Sequence, residues 1–221
     1  MSSPNFFRLG VACVAFVISV SSLCADEAPE LKLGKKGKSL MEETFSGDAV
    51  PKGFSVNTGK LRAADGSLRA SQLAKDNHIG AFRYRLPVQD VVVQVDFRFD
   101  GARTWNIGFD PATGELKKKG HLYSVMITAN SWQITEHNDK ANPESKSKVL
   151  ATAKTSFEKG KWYTLVLENK GEQVLVQIAG KEPLKASAPD FKVKKPGLVF
   201  RMGGKDDEEV AIDNVKVWEL K

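Results

Sequence analysis

Between positions 91 and 100 the residues Val91, Val93, Val95, Phe97 and Phe99 alternate with Val92, Gln94, Asp96, Arg98 and Asp100. A period of two places one set on each face of an extended chain, so this run predicts a half-buried β-strand. The same alternation recurs in HLYSVMITA, WQITEHN, WYTLVLEN, EQVLVQIAG and VAIDNVKVWEL, each bounded by Gly, Pro, Asn or Asp. KLRAADGSLRAS predicts a hairpin, because Asp65-Gly66 supplies the two positive-φ residues of a tight primed turn. Further strand pairs are predicted to join at Ala129-Asn130-Ser131 and at residues 169–172. No stretch of twelve residues sustains a 3.6-residue period, which argues against alternating β-α units. The expectation is an all-β chain of two packed antiparallel sheets, with polar insertions at 114–120, 138–148 and 203–209 as exposed loops.

The front of the chain follows a different pattern. Arg8 is the only charge before Asp26, and it precedes the apolar run LGVACVAFVISVSSLC and then Ala25. That run is shorter than the ~20 residues a membrane-spanning helix needs, and it predicts a secretory signal peptide over 1–25. The protein is therefore expected to be exported, to the periplasm, the cell surface or the medium, with no transmembrane segment after cleavage. Both cysteines, Cys13 and Cys24, fall inside the signal. Disulfides, thiolate metal sites and cysteine nucleophiles are thereby excluded from the mature domain. Residues 26–39 are rich in lysine and glycine and read as a flexible lead-in, with the folded domain over 40–221. The formal charge of +6 loses only Arg8 on cleavage, and the lysine clusters Lys117-Lys118-Lys119 and Lys192, Lys194, Lys195 suit an acidic polysaccharide. With 27 acidic residues interspersed and no alternation of basic and aromatic residues, a nucleic-acid partner is not expected.

The order of segments also resembles a known group: ETFSG near the start, DGSL in a hairpin, VDFRF in a strand, KGKWYTLVLENKGEQVLVQIAGK as a strand pair, then GLVFRMGG and IDNVKVWEL. Over about residues 40 to 221 this is similar to the concanavalin A-like lectin/glucanase superfamily, near laminin-G-like modules and the 3-keto-disaccharide hydrolase domain family. The resemblance implies a two-sheet jelly-roll sandwich whose first and last strands lie together, with carbohydrate bound on the concave sheet. Glucanases of that superfamily carry Glu-x-Asp-x-x-Glu on one strand, which sets nucleophile and acid ~5 Å apart. Here Glu136-His137-Asn138-Asp139 has the wrong spacing and residues 206–209 are a consecutive acidic run, so the motif is absent. The hydrolase relatives show Asn-Ser-Gly and then aromatic-Glu-x-Gln, where this chain has Trp105-Asn106-Ile107-Gly108 and Tyr123-Ser124-Val125-Met126.

Sugar recognition needs an apolar plate for the pyranose ring and fixed polar groups for its hydroxyls. Tyr123 and Trp132 are the candidate plates. Asp96, Arg98, Asn106, Asp110 and Arg201 are the candidate polar groups, since each alternates with an apolar stripe; cross-strand ion pairing on a solvated sheet is the competing account. His78, His121 and His137 lie in no metal-binding spacing. The resemblance implies a structural calcium between first and last strands, for which Asp213 and Glu43 are similarly placed. Asp213 is equally suited to close a bulge by hydrogen bonding to backbone N–H groups. The chain is thus expected to be a non-catalytic carbohydrate-recognition or accessory module of a bacterial envelope. The alternatives are a glycan-active hydrolase resembling the 3-keto-disaccharide hydrolase family and a structural or adhesive surface domain.

Overall fold

The computed structural model describes residues 27–221, and the predicted signal peptide lies outside them. Fifteen strands follow in chain order. The first eight are β1 (Lys36–Glu43), β2 (Phe54–Thr58), β3 (Lys60–Ala64), β4 (Ser67–Ser71), β5 (Gly80–Val88), β6 (Val91–Asp100), β7 (Thr104–Phe109) and β8 (Tyr123–Thr128). The remainder are β9 (Ser131–Glu136), β10 (Lys148–Lys154), β11 (Tyr163–Lys170), β12 (Gln173–Ile178), β13 (Leu184–Ser187), β14 (Lys195–Gly203) and β15 (Glu209–Leu220). They form two sheets with antiparallel neighbours. Sheet A runs β13-β12-β11-β6-β15-β4-β3, with β1 also on β15; sheet B runs β10-β9-β8-β7-β14-β5-β2. The two sheets form a jelly-roll sandwich, as expected.

The hairpin β3-β4 turns at Asp65 (φ 51°) and Gly66 (φ 64°), the left-handed pair that its sequence required. The alternation of β6 is realised too, with Val91, Val93, Val95, Phe97 and Phe99 buried between the sheets. Phe97 stacks on Trp105 of sheet B with centroids 4.6 Å apart, tying the two layers at their centre. First and last strands do lie together: β1 pairs with residues 215–220 of β15, while β4 pairs with residues 209–212 of the same strand. Between these halves β15 is bulged, with Asn214 at φ 47° and its N–H donating to Asp213 Oδ1 at 2.7 Å.

The lead-in needs correction. It was expected to be flexible over 26–39, yet Lys36 to Ser39 belong to β1, and the residues before it form a strap across the outer face of sheet A. Ala28, Leu31 and Leu33 pack on Val92, Val166, Trp218 and Leu220. The strap is latched by Glu168, wholly buried, whose carboxylate accepts the Lys32 and Leu33 N–H groups at 2.8–3.1 Å. Gln177 adds a hydrogen bond to the Glu30 carbonyl at 2.7 Å. The physical reason is that Val92 and Val166 point away from the main core, and burying their apolar area needs a cover.

Candidate functional site

The strands of sheet B turn one row of side chains to the core and the alternate row outward. Cross-strand register aligns two outward rows. One passes through Ser55, Arg83, Val199, Gly108, Ser124 and Thr135; the next through Ala81, Arg201, Asn106, Met126 and Gln133. Gly108 is required at the centre of the first row. A Cβ there would lie 2.2 Å from the Tyr123 carbonyl oxygen, so only glycine lets β7 and β8 come this close.

Charged and aromatic-nitrogen groups converge around these rows. Arg83 Nε donates to Asp110 Oδ2 at 3.0 Å, and another of its N–H groups donates to Asn57 Oδ1. Asp110 Oδ1 accepts from His121 Nδ1 at 2.5 Å. The His121 and His137 rings lie 5.3 Å apart, and His137 Nε2 meets Ser124 Oγ at 2.9 Å and Arg201 Nη2 at 3.0 Å. Burial pushes the Asp110 carboxyl up, but the His121 and Arg83 partners outweigh it and hold the group below its usual range. His137 is pushed down to about 3, first by burial and then by the charges of Arg201, His121 and Lys118. Its ring is therefore neutral at physiological pH. Because Arg201 can only donate, Nε2 is the acceptor nitrogen and the Ser124 hydroxyl donates to it as well.

This arrangement limits the chemistry. Ser124 and His137 have the spacing of a nucleophile and its base, but an imidazole so weakly basic, with its lone pair already engaged by a guanidinium, is poorly suited to remove a proton near pH 7. Hydrolysis by two carboxylates needs a second acid, whereas Asp110 is the one carboxylate in the network and is held by Arg83 and His121. What the face offers instead is hydrogen-bonding and charge. Next to it, a groove of about 890 Å³ opens along β5 and β14, bordered by Ser55, Arg83, Arg85, Asp110, Gly197 and Val199. Gly197 forms part of its floor, where a Cβ would lie 2.0 Å from the Tyr84 carbonyl oxygen.

The residues expected from sequence are divided by the fold. Asn106, Asp110 and Arg201 are brought together on the outer face of sheet B. Asp96 and Arg98 lie on the outer face of sheet A, the far side of the sandwich. There Asp96 accepts from Thr164 Oγ1 at 2.6 Å and Asn214 Nδ2 at 2.8 Å, and Arg98 pairs with Asp100 at 2.7 Å while lying over the Trp162 ring. Tyr123 and Trp132 are fully buried between the sheets and can plate no sugar. The Tyr123 hydroxyl instead crosses the core to Asn169 Oδ1 at 3.1 Å. Glu43 lies opposite the core residue Val215 and its carboxylate accepts the Phe45 N–H, while Asp213 lies opposite Asp96 on the outer face. Burial, together with the charge of Asp96, raises the Asp213 carboxyl even though the Asn214 N–H opposes the shift. Among the described residues no three His, Asp, Glu or Cys side chains gather as a cation site.

Arg83, Ser124, His121 and His137 were not anticipated. Arg83 sits in a clear alternation with Phe82 and Tyr84, and His137 continues the outward phase of Gln133 and Thr135, so both were within reach of pattern reading. His121 was not, because it is out of phase with Ser124 and Met126.

With this geometry in view, comparison with solved structures places the architecture. A carbohydrate-binding module CBM66 from Bacillus subtilis superposes with a TM-score of 0.60 at 14% identity, covering 76% of this chain and 96% of that one. A Bacillus subtilis protein of unknown function with a galectin-like fold gives 0.61 at 12% identity, covering 85% and 98%. SCLam, a non-specific endo-β-1,3(4)-glucanase of family GH16, gives 0.60 at 14%, covering 83% and 91%. The fold is the concanavalin A-like jelly roll. At these identities the likeness of this jelly roll to the others is one of fold. No protein-family model matches the chain, and no curated protein matches it in sequence.

Proposed function

We propose that this jelly roll is the carbohydrate-recognition module of an exported protein, that it is non-catalytic, and that it binds a negatively charged glycan across the outer face of sheet B. The observation that carries the reading is the composition of that face: two arginines, two histidines, a serine and an asparagine meet beside an open groove, with one carboxylate that is already paired. Such a set presents fixed donors and acceptors for hydroxyls and an excess of positive charge for an acidic chain. Sharing a fold with a carbohydrate-binding module and a glucanase makes glycans the ligand class to test first. The weak basicity of His137 and the absence of a second carboxylate from the network support recognition over hydrolysis.

A glycan array with the purified protein, at low and physiological salt and with and without calcium, tests this. Saturable binding to one glycan class that persists at physiological salt, and that Arg83→Ala weakens while the melting temperature is kept, is the expected result; salt separates diffuse attraction from fixed contacts. A blank array with folded protein removes the reading. Loss of binding on chelation would support the structural calcium expected from the resemblance.

A further inference from the structure

We infer that Arg201 and Asn106 form the subsite for a hexuronate residue, with Arg201 taking the sugar carboxylate and Asn106 a hydroxyl beside it. The inference rests on the glycan reading and specifies what that face selects.

Arg201 stands apart from the other arginines. Among the described residues Arg62, Arg69, Arg83, Arg98 and Arg103 each lie within ion-pair distance of a carboxylate, and Arg85 is exposed to water. Arg201 is half-buried and has neither. Its Nη2 donates to the neutral His137 ring, and the neighbouring Asp110 is committed to Arg83 and His121. Burial lowers its pKa, and the charge of Arg83 adds to this, while the attraction of Asp110 opposes the shift without overcoming it. On one side its cross-strand neighbour is Ala81, which carries no polar side chain to answer it. A guanidinium in this state gains most from a ligand carboxylate, whose planar oxygens match its fork of N–H groups in a two-bond pair.

The cross-strand neighbour on the other side is Asn106, only 7% exposed, with Oδ1 lacking any hydrogen-bond partner. A buried amide oxygen without a donor is uncommon in folded proteins and calls for one. An anion cannot supply it, because anionic oxygens only accept. A sugar hydroxyl can. A group placed over both residues must therefore present a negative charge to Arg201 and an O–H to Asn106, within the span of adjacent strands. A hexuronate does both, carrying its carboxylate on a ring that also bears free hydroxyls, and its planar carboxylate, unlike a tetrahedral sulfate ester, lies in the plane of the guanidinium fork. Met126, half-exposed and next in the same row, offers the apolar contact for the ring face that the buried Tyr123 and Trp132 cannot.

The test is isothermal titration of the purified protein at physiological salt with oligogalacturonate, oligoglucuronate and alginate oligosaccharides, their methyl esters, a sulfated galactan oligosaccharide and a neutral galactan oligosaccharide. The expected result is that at least one uronate binds ten-fold or more tightly than its own ester, and that Arg201→Gln brings acid and ester to equal, weak affinity. Arg201→Lys should restore part of the preference, and Asn106→Ala should weaken acid and ester alike by several-fold. Equal affinity of the protein for acid and ester overturns the subsite while leaving glycan recognition standing; this comparison holds even if the arginine variants fail to fold. A preference for the acid that survives Arg201→Gln in a folded variant, or tighter binding of the sulfated chain, also overturns it. Binding to no glycan overturns both readings.

Discussion

Glu168 bears most directly on how the sandwich is held together, and the substitution to examine is Glu168→Gln. The side chain keeps its volume, so packing is preserved, but a charged acceptor pair becomes one neutral acceptor and one NH₂ donor. In the native protein the Lys32 N–H is shared between the two carboxylate oxygens at 3.0 and 3.1 Å, and the Leu33 N–H sits at 2.8 Å. With its oxygen in the place of Oε2 the amide still accepts from both, but its NH₂ then faces the Lys32 N–H and the Gln177 amide donor where Oε1 had accepted. A hydrogen bond to a charged group contributes about 1.5–3 kcal/mol, and a buried donor left without an acceptor costs about 1–3 kcal/mol. Taking about 2 kcal/mol for the exchange, and about 2–4 °C per kcal/mol for a domain of this size, the melting temperature should fall by about 4–8 °C. The loss has a ceiling, because the strap can instead detach, return its N–H groups to water and uncover Val92, Val166 and Trp218. In that event the melting temperature falls less, and hydrogen exchange at Lys32 and Leu33 speeds up to near the rate of free chain. Thermal melting together with amide exchange therefore reads both routes. A variant that melts within about 1 °C of the parent and keeps the same protection at those two amides would refute the latch.

Two further perturbations probe the buried polar groups. Tyr123→Phe removes the hydroxyl that reaches Asn169 Oδ1 across the sandwich, leaving a wholly buried acceptor short of its donor, and should lower unfolding free energy by about 1–3 kcal/mol in urea while leaving glycan affinity unchanged. Unaltered stability, or a loss of glycan affinity in the stable protein, would contradict the placement of Tyr123 in the core. Lys195 is buried with its ammonium donating to the Gln89, Phe191 and Val193 carbonyls at 2.8–2.9 Å, and burial pushes its pKa down from 10.5 to about 8. Between those values the unfolded chain binds the proton more tightly than the native state, so Lys195 makes stability rise as pH increases through about 8 to 10.5, by at most about 3 kcal/mol. Urea titrations across that range should show a more positive slope for the parent than for Lys195→Met; a parent slope no greater than the variant's would overturn the assignment.

The sequence by itself determined the secondary structure and the architecture. Period-two runs such as 91–100 leave only the extended chain able to bury one set of side chains, and Asp65-Gly66 leaves only a tight turn between its strands. Many such strands without a helical period can close their apolar faces only against one another, hence two sheets. What the alternation could not decide was partnership across the sandwich. It says that Asp96, Arg98, Asn106 and Arg201 each oppose the core of their own strand, and this is so; but whether two strands share a sheet is set by long-range pairing, and β6 joined sheet A while β7 and β14 joined sheet B. The candidate polar set was divided for that reason. Tyr123 and Trp132 share the phase of Val125 and Ile134, and the tertiary structure turned that phase inward, taking both aromatics away from any ligand. The strap was half legible, since Val92 and Val166 on an otherwise polar phase, with Leu31 and Leu33 alternating upstream, signal an outer face in need of cover. Its latch was not, because the backbone N–H groups of Lys32 and Leu33 meet the Glu168 carboxylate across more than a hundred residues of chain. The network of Arg83, Asp110, His121, His137 and Arg201 draws on five separate segments, and only their register in the folded sheet gives the isolated residues a common chemistry.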